Sequence, residues 1–420
     1  MRILLIVHHR LWRAAYRSRF IAKGLAKQGH DVTLMVTADK ERWRFRTTRI
    51  NGFELVETPD ITFGRLRSGW DPVNAVRRIR WLKRYGSGYD LIHLFETRPA
   101  TIFPGLWLKR RLNVPLVIDW IDWWGRGGII KINRPFWYRA LFGWFETFFE
   151  EHFRPYADAT TVISYGLAER AVSLGVKRQT ILHMRNGVDL DLFSSKLKRE
   201  ARRRLNLNQD SFLIGYAAQD TFFDLDPMFK GLKRLIDSGA NAEIVMSGYA
   251  PDRVKASIVR FGLEPHARFL GYLSWEDYPY FLPACDVLAC PFPATVYNLG
   301  RWPGKFSEYL AAGRPVVFNP EGDLADFAEG SVPGIACAFN ADAFAQAFRT
   351  LHENPTLREE LGAVARARAC REFDWDAIIG KLTNFYEETV SHWAEQNGGK
   401  SGIRGSQLER RDISQHQPKR

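Results

Sequence analysis

Short apolar runs alternate with stretches of helical period along almost the whole chain. Residues 3–7 are continuously apolar and few, which predicts a buried strand. Residues 17–27 bring apolar side chains back at helical spacing, Gly29-His-Asp31 forms a turn, and 32–36 is a second strand. The pattern then predicts strands at 53–57, 90–95, 115–119, 159–163 and 180–184, with helical segments in most of the gaps. Strands separated by helices predict a parallel sheet covered on both faces, a Rossmann-like half. A second run of strands, at 212–217, 243–246, 268–270, 287–291, 316–318 and 335–339, repeats the arrangement. The fold class is therefore α/β, with two Rossmann-like domains over 1–190 and 191–372. Residues 196–204 read as a basic linker helix, Ser164 as the cap of a helix through 168–174, Asp323-Leu-Ala-Asp-Phe327 as a helix start, and the chain from Asp342 as a surface helix. A last helix fills 373–393. Residues 398–420 are polar and basic without apolar period, which predicts a disordered tail.

One stretch stands out: Trp302-Pro-Gly-Lys-Phe-Ser-Glu-Tyr-Leu-Ala-Ala-Gly-Arg-Pro-Val-Val317. Pro303 and Gly304 break the chain, Phe306, Leu310 and Ala311 give a short apolar helix face, and Gly313 stops the helix. Lys305 and Glu308 are three apart and share one side of the first turns. Such a helix start suits a nucleoside diphosphate. The amide dipoles and the ammonium hold phosphate, and the carboxylate accepts both ribose hydroxyls. A charged helix end before an ordinary strand is the plainer alternative.

Two further groups sit where ligands bind in open α/β sheets, at the carboxyl ends of strands. In Val117-Ile-Asp-Trp-Ile-Asp-Trp-Trp-Gly-Arg-Gly-Gly128, Asp119 and Asp122 follow a central strand. Either can accept a hydrogen bond from a ligand hydroxyl or take its proton. Alternatively, Asp119 caps the loop and only positions its neighbours. Arg126 with Gly127-Gly128 predicts a ligand-facing loop. The first loop, His8-His-Arg-Leu-Trp-Arg13, offers His8, His9 and Arg10 as side-chain ligand contacts, or His8 and His9 as a structural pair.

Composition narrows the classes. The chain has 420 residues, of which 45% are hydrophobic, enough for two domains and a large core and against global disorder. No run approaches the ~18 apolar residues of a membrane span, and the opening apolar run is too short for a signal peptide. Cys285, Cys290, Cys337 and Cys370 stand at no metal-binding spacing, and read as mostly buried thiols of a reducing, cytoplasmic compartment. Of three Asp-x-Asp triplets, only Asp224/Asp226 follows a strand at which a metal would be useful, and no metal or other cofactor is expected.

The net charge of +13 is uneven, with 20 Lys/Arg against 9 Asp/Glu in residues 1–100. Many of these cations stand beside aromatics, as in Leu11-Trp-Arg13, Arg42-Trp-Arg-Phe-Arg46 and residues 77–84. That pairing suits an anionic membrane surface and predicts peripheral association at its cytoplasmic face. A solvated basic face is the plainer alternative. No nucleic-acid motif accompanies the cations, so no nucleic-acid partner is expected. Residues 129–152 are aromatic almost all round, which fits either a buried helix or a membrane-facing one. Glu146, Glu150 and Glu151 weigh against an anionic surface there.

Three stretches carry a resemblance to the family 4 glycosyltransferases, which have the GT-B fold. They are 303–317, the Arg185-Asn-Gly-Val-Asp-Leu-Asp-Leu-Phe193 segment before the interdomain linker, and 269–287 with its Gly271-Tyr-Leu-Ser-Trp-Glu-Asp-Tyr278. The last helix, from Phe373-Asp-Trp375 to Tyr386, is similar to the family's terminal helix. The resemblance covers roughly residues 1–392 and implies two domains facing across a cleft, with that helix crossing back onto the first domain. It implies transfer of a sugar, with retention, from a nucleoside diphosphate sugar to a glycan or lipid-linked acceptor, as in polysaccharide or cell-surface glycan synthesis. On the donor side it implies ribose binding by Glu308 and a nucleobase against the backbone near Tyr272 and Leu273. Lys305, Arg301 and the amides at Gly304 would stabilise the diphosphate, and Asn298 would touch the sugar. On the acceptor side it implies Asp122, then Asp119, as the reacting carboxylate, with His8, His9, Arg10 and Arg126 nearby. The chain departs from the family in three places. It lacks a Gly-rich first loop, it has Gln219-Asp-Thr-Phe-Phe-Asp-Leu-Asp226 where an Arg and a Lys are usual, and it has Gly300 where a sugar-binding Glu is usual. These departures leave open a non-catalytic sugar-nucleotide-binding scaffold, or a GT-B-like epimerase or hydrolase.

Overall fold

The computed structural model describes residues 1–10, 16–39, 41, 43–60, 69–193, 197–218 and 225–397. The expectations for 11–13, Arg42, 219–224 and the tail 398–420 lie outside the described residues. The rest form two sheets. The first is made by β1 (Arg2–Arg10), β2 (Asp31–Thr37), β3 (Arg46–Ile50), β4 (Phe53–Thr58), β5 (Leu91–Phe95), β6 (Leu116–Trp120), β7 (Ala159–Val162) and β8 (Ile181–His183). Its order is β3-β4-β2-β1-β5-β6-β7-β8. All pairings are parallel except β3 with β4. The second contains β9 (Phe212–Ala218), β10 (Ala242–Gly248), β11 (Ala267–Gly271), β12 (Val287–Cys290), β13 (Val316–Phe318) and β14 (Gly334–Ala336), in the order β11-β10-β9-β12-β13-β14, all parallel. Buried β1, β5, β6 and β12 explain why these strands read as continuous apolar runs.

Two expectations are corrected. Strand β3 was not foreseen: it is polar, exposed and at the sheet edge, and its hairpin signal is the Asn51-Gly52 turn, with φ of 48° and 87°. β1 runs on through Arg10, so His8, His9 and Arg10 belong to a strand end and not to a loop. The surface helix from Asp342 is present as Ala341–Glu353: Asp342, Gln346 and Glu353 are exposed, and its inner face packs Phe344, Phe348 and Leu351 against Met228, Phe229 and Leu232.

The last helix, Trp375–Gln396, crosses back as expected. Trp375, Ile378, Ile379, Leu382 and Tyr386 join Ile3, Leu5, Leu25 and Val32 in the core of the first domain. The Tyr386 hydroxyl bonds His93 on β5. The outgoing and returning chains run side by side here, because Val188 N donates to the Phe373 carbonyl at 2.9 Å. Gly187 has to be glycine, since a Cβ there would stand 2.6 Å from the Trp375 ring.

A second apolar cluster spans both domains, joining Trp120, Val162 and Leu167 to Trp302, Phe306 and Phe327. Buried Asp323 pins the seam. It accepts from Tyr165 N at 2.9 Å, from His183 Nε2 at 2.8 Å and from Arg185 Nε at 3.3 Å. Because Leu382 is buried in the first domain's core, Leu382→Ala should destabilise that domain by about 2–5 kcal/mol. Guanidinium unfolding followed by tryptophan fluorescence checks it. A loss confined to the second domain would contradict the crossover.

Candidate functional site

The Lys305 helix, Gly304–Ala311, starts in the open. Pro303 caps it with extended backbone, and a Cβ on Gly304 would meet nothing within 4 Å. Phe306, Tyr309 and Leu310 anchor its other side in the shared core, and Gly313 at φ +64° ends it. Lys305 reaches back to the carboxyl end of β9, where Nζ donates to the Ala217 carbonyl at 3.3 Å and lies 4.1 Å from the Tyr216 ring. Glu308 accepts from the Tyr278 hydroxyl at 2.6 Å. Burial pushes the Glu308 carboxyl up, opposed by the Tyr278 hydrogen bond and the Lys305 charge. The Glu308 charge also acts on Tyr16, at the start of the first domain's first helix. Burial chiefly, with Glu308 and Asp189 adding, pushes its phenol up to about 12, against its hydrogen bond with Trp375. Nearby, β11 ends at Gly271 with φ +64°, Tyr272 is exposed, and Leu273 packs on the shared core.

Arg301 sits between the two domains. Its Nε donates to Asn298 Oδ1 at 2.9 Å, its guanidinium lies 4.2 Å from the Tyr297 ring, and its charge acts on Asp122. Asn298 is not a sugar ligand. It is 1% exposed, its amide nitrogen donates to the Pro293 carbonyl at 2.7 Å, and its oxygen receives Arg301. It positions Arg301. The structure also accounts for Gly300: Trp123 of the first domain packs directly over it, and any Cβ would collide with that side chain.

On the other side of the cleft, the two aspartates separate. Asp119 is 1% exposed and receives Arg17 through two bonds, from Nε at 2.9 Å and Nη2 at 3.0 Å, and the Thr161 hydroxyl as well. Arg17 also donates to Asn186 Oδ1 at 2.8 Å. Asp119 is therefore an internal ion pair that positions the loop, not a group facing a ligand. Asp122 lines a small cavity with Glu96, Arg98, Trp124 and Glu150. Burial, then the Glu96 charge, raises its carboxyl to about 7, against Arg301 and Arg98. Glu150, on the helix Phe136–His152, holds the loop from behind. It accepts from Trp124 N at 2.8 Å, from Trp120 Nε1 at 3.1 Å and from Gly125 N. Burial raises it to about 7 as well.

Glu96 has φ +67°, a left-handed conformation that is unfavourable for this residue and marks the strand end as constrained. Its carboxylate lies 3.6 Å from His8 Nε2 and 3.4 Å from Arg98 Nε. His8, His9 and Glu96 bring one ligand atom each within 4.8 Å of one another. Residue spacing alone does not bring Glu96 to the histidine pair. The group can hold a cation only by displacing Arg98 from the carboxylate. Arg10 pairs with Asp60 at 2.9 Å and Asp39 at 3.5 Å. Arg126 lies on the outer side of its turn, lining a surface groove with Lys131 and Arg139 and not the Asp122 cavity.

Sequence reasoning missed Tyr16, Tyr278, Glu96, Arg98 and Glu150. Tyr278 and Glu308 are 30 residues apart, and Glu150 and Gly125 are 25 apart, so no local spacing announces either pair.

Residues 14–187 match the model of the glycosyl transferase 4-like domain, and residues 224–354 match that of the glycosyl transferases group 1. A GDP-mannose-dependent monoacylated alpha-(1-6)-phosphatidylinositol monomannoside mannosyltransferase of Corynebacterium glutamicum is 23% identical over 247 residues. That match takes in 55% of this chain but only 62% of the relative. Among solved structures, sucrose-phosphate synthase of Thermosynechococcus elongatus superposes with a TM-score of 0.72 at 18% identity, covering 93% of this chain and 100% of that one. HepE of Anabaena in complex with UDP-glucose gives 0.65 at 18% identity, covering 93% and 100%. Both superpositions run over the two sheets of this chain, and the chain belongs to the family 4 glycosyltransferases of the GT-B fold.

Proposed function

We propose that the chain transfers a sugar from a nucleoside diphosphate sugar to a lipid-linked or glycan acceptor, with retention and without a metal ion. The observation that carries this is the placement of Lys305 and Glu308 on one open helix start at the carboxyl end of β9, with Arg301 just ahead of that helix placing its charge on Asp122 of the first domain. Glu308 exchanges the Tyr278 hydroxyl for the ribose hydroxyls. Lys305, Arg301 and the Gly304 and Lys305 amides offset the charge that grows on the diphosphate as its bond to the sugar breaks. Asp122 accepts the hydrogen bond, and then the proton, of the acceptor hydroxyl. The contact of Trp123 with Gly300 keeps water from the donor, whose hydrolysis competes with transfer. The corynebacterial relative's name supports a mannosylated phosphatidylinositol as the class of acceptor, and it and the HepE complex name different bases. Retention rests on family membership alone.

A thermal-shift panel of UDP, GDP, ADP and dTDP with their sugars tests the donor side. One base should stabilise the wild type by about 2.7 kcal/mol at roughly 100 times its Kd. Glu308→Ala should lose about 1.5–3 kcal/mol of that affinity. Stabilisation by none of them would support the scaffold reading instead.

The acceptor side predicts a pH dependence. Asp122 acts as the carboxylate, and its carboxyl is raised to about 7. Transfer should therefore be slow well below pH 7 and rise through about 7. Asp122→Asn should lower kcat by about 100-fold or more and remove that rising limb. A variant that keeps the limb would show that another group takes the proton.

A further inference from the structure

The helix Phe136–His152 is the most exposed apolar element of the described residues, and its glutamates left its role undecided. The structure sorts them. Glu146 is 5% exposed and Glu150 6% exposed, both turned inward, and Glu151 pairs with Arg170. The outward side then carries Phe136, Trp137, Leu141 and Trp144, with Trp137 60% and Trp144 68% exposed. Cations border it: Lys131 and Arg126 are exposed, and the Arg134 and Arg139 guanidiniums lie over the Tyr138 and Phe136 rings. Large apolar side chains without a carboxylate among them, bordered by Lys and Arg, match the interfacial layer of an anionic bilayer. Indoles sit at headgroup depth, aliphatic and phenyl groups sit below, and the cations meet lipid phosphates. No described helix is long and apolar enough to cross a membrane, so the contact is one of lying on the surface.

The opposite side of the same helix touches the chemistry. Glu150 accepts from the backbone of Trp124 and Gly125, and Gly125 has no side chain because the Glu150 carboxylate and Thr147 fill that space. A displacement or stiffening of the helix therefore reaches residues 121–128 through one carboxylate.

We propose that the helix Phe136–His152 seats on the surface of an anionic lipid bilayer, and that Glu150 transmits this seating to the loop carrying Asp122. Docking thus orders the acceptor side of the cleft at the surface where a lipid-anchored acceptor resides. Glu150 is a positioning residue: it acts through the loop and not on substrate. The proposal rests on reading that loop as the acceptor side. Donor binding at Lys305 and Glu308 is read separately by thermal shift, so either can fail alone.

The test uses the full chain, sedimented with vesicles of phosphatidylcholine mixed with phosphatidylglycerol, and with pure phosphatidylcholine as control, followed by hydrogen exchange. The wild type should sediment with the anionic vesicles only, and exchange at the Trp124 and Gly125 amides should slow on binding. Trp137→Glu with Trp144→Glu, both on the exposed side, should keep the wild-type melting temperature and lose vesicle binding and the loop response together. Glu150→Gln should still bind vesicles while its loop no longer responds. Failure of the wild type to bind, or self-association that the double variant abolishes without any vesicle binding, overturns the proposed surface. Vesicle binding with unchanged exchange at Trp124 and Gly125 overturns the transmission.

Discussion

One buried carboxylate organises the first domain. Asp119 receives both guanidinium bonds of Arg17 and the Thr161 hydroxyl, while its carbonyl receives Arg154 at 2.9 Å and the Glu96 amide at 3.3 Å. Arg17 continues to Asn186, just before the linker. The first helix, the ends of β5, β6 and β7, and the exit from the domain therefore meet at one ion pair. Taking either partner away would leave a charge stranded in a dry interior, which is far costlier than never having buried the pair. The Asp122 loop and the Glu96 turn both spring from this point, so the geometry around Asp122 is inherited from it.

The cleft follows from that frame. The second domain presents a cationic and carboxylate pair on a helix start, and the first presents a partly desolvated carboxylate against it. Arg301, held by Asn298 and stacked on Tyr297, stands where it can act on both. The Asp323 seam and the cluster shared by Trp120 and Phe306 hold the domains together. One departure in the sequence then has a physical reason. Gly300 makes room for Trp123, whose Cβ would collide with any side chain at that position.

Much of this was legible beforehand, for identifiable reasons. Buried parallel strands read as unbroken apolar runs, so β1, β6 and β13 were placed within a residue or two apart from the extension of β1 to Arg10. β3 was missed because an exposed edge strand such as Arg46–Ile50 has no apolar run to show. The Lys305 and Glu308 pair was legible because both lie within one turn. Glu150 and Glu96 were not, because they meet the Asp122 loop only through tertiary packing. Asn298 misled for the opposite reason: a polar residue near a binding motif suggests a ligand, but here the fold uses both ends of its amide. The glutamates of the aromatic helix misled in the same way, since a charge count does not reveal which side of a helix is buried.

Donor binding is proposed at the open start of the Lys305 helix, with the sugar directed to Asp122. A structure of the protein with its donor nucleotide bound tests it most directly. Diphosphate oxygens are expected within hydrogen-bond reach of Lys305 Nζ and the Gly304 and Lys305 amides, ribose hydroxyls on Glu308 in place of Tyr278, and the sugar toward Asp122. A nucleotide bound elsewhere, or one bound with Glu308 still on Tyr278 and the sugar turned away from Asp122, would contradict it.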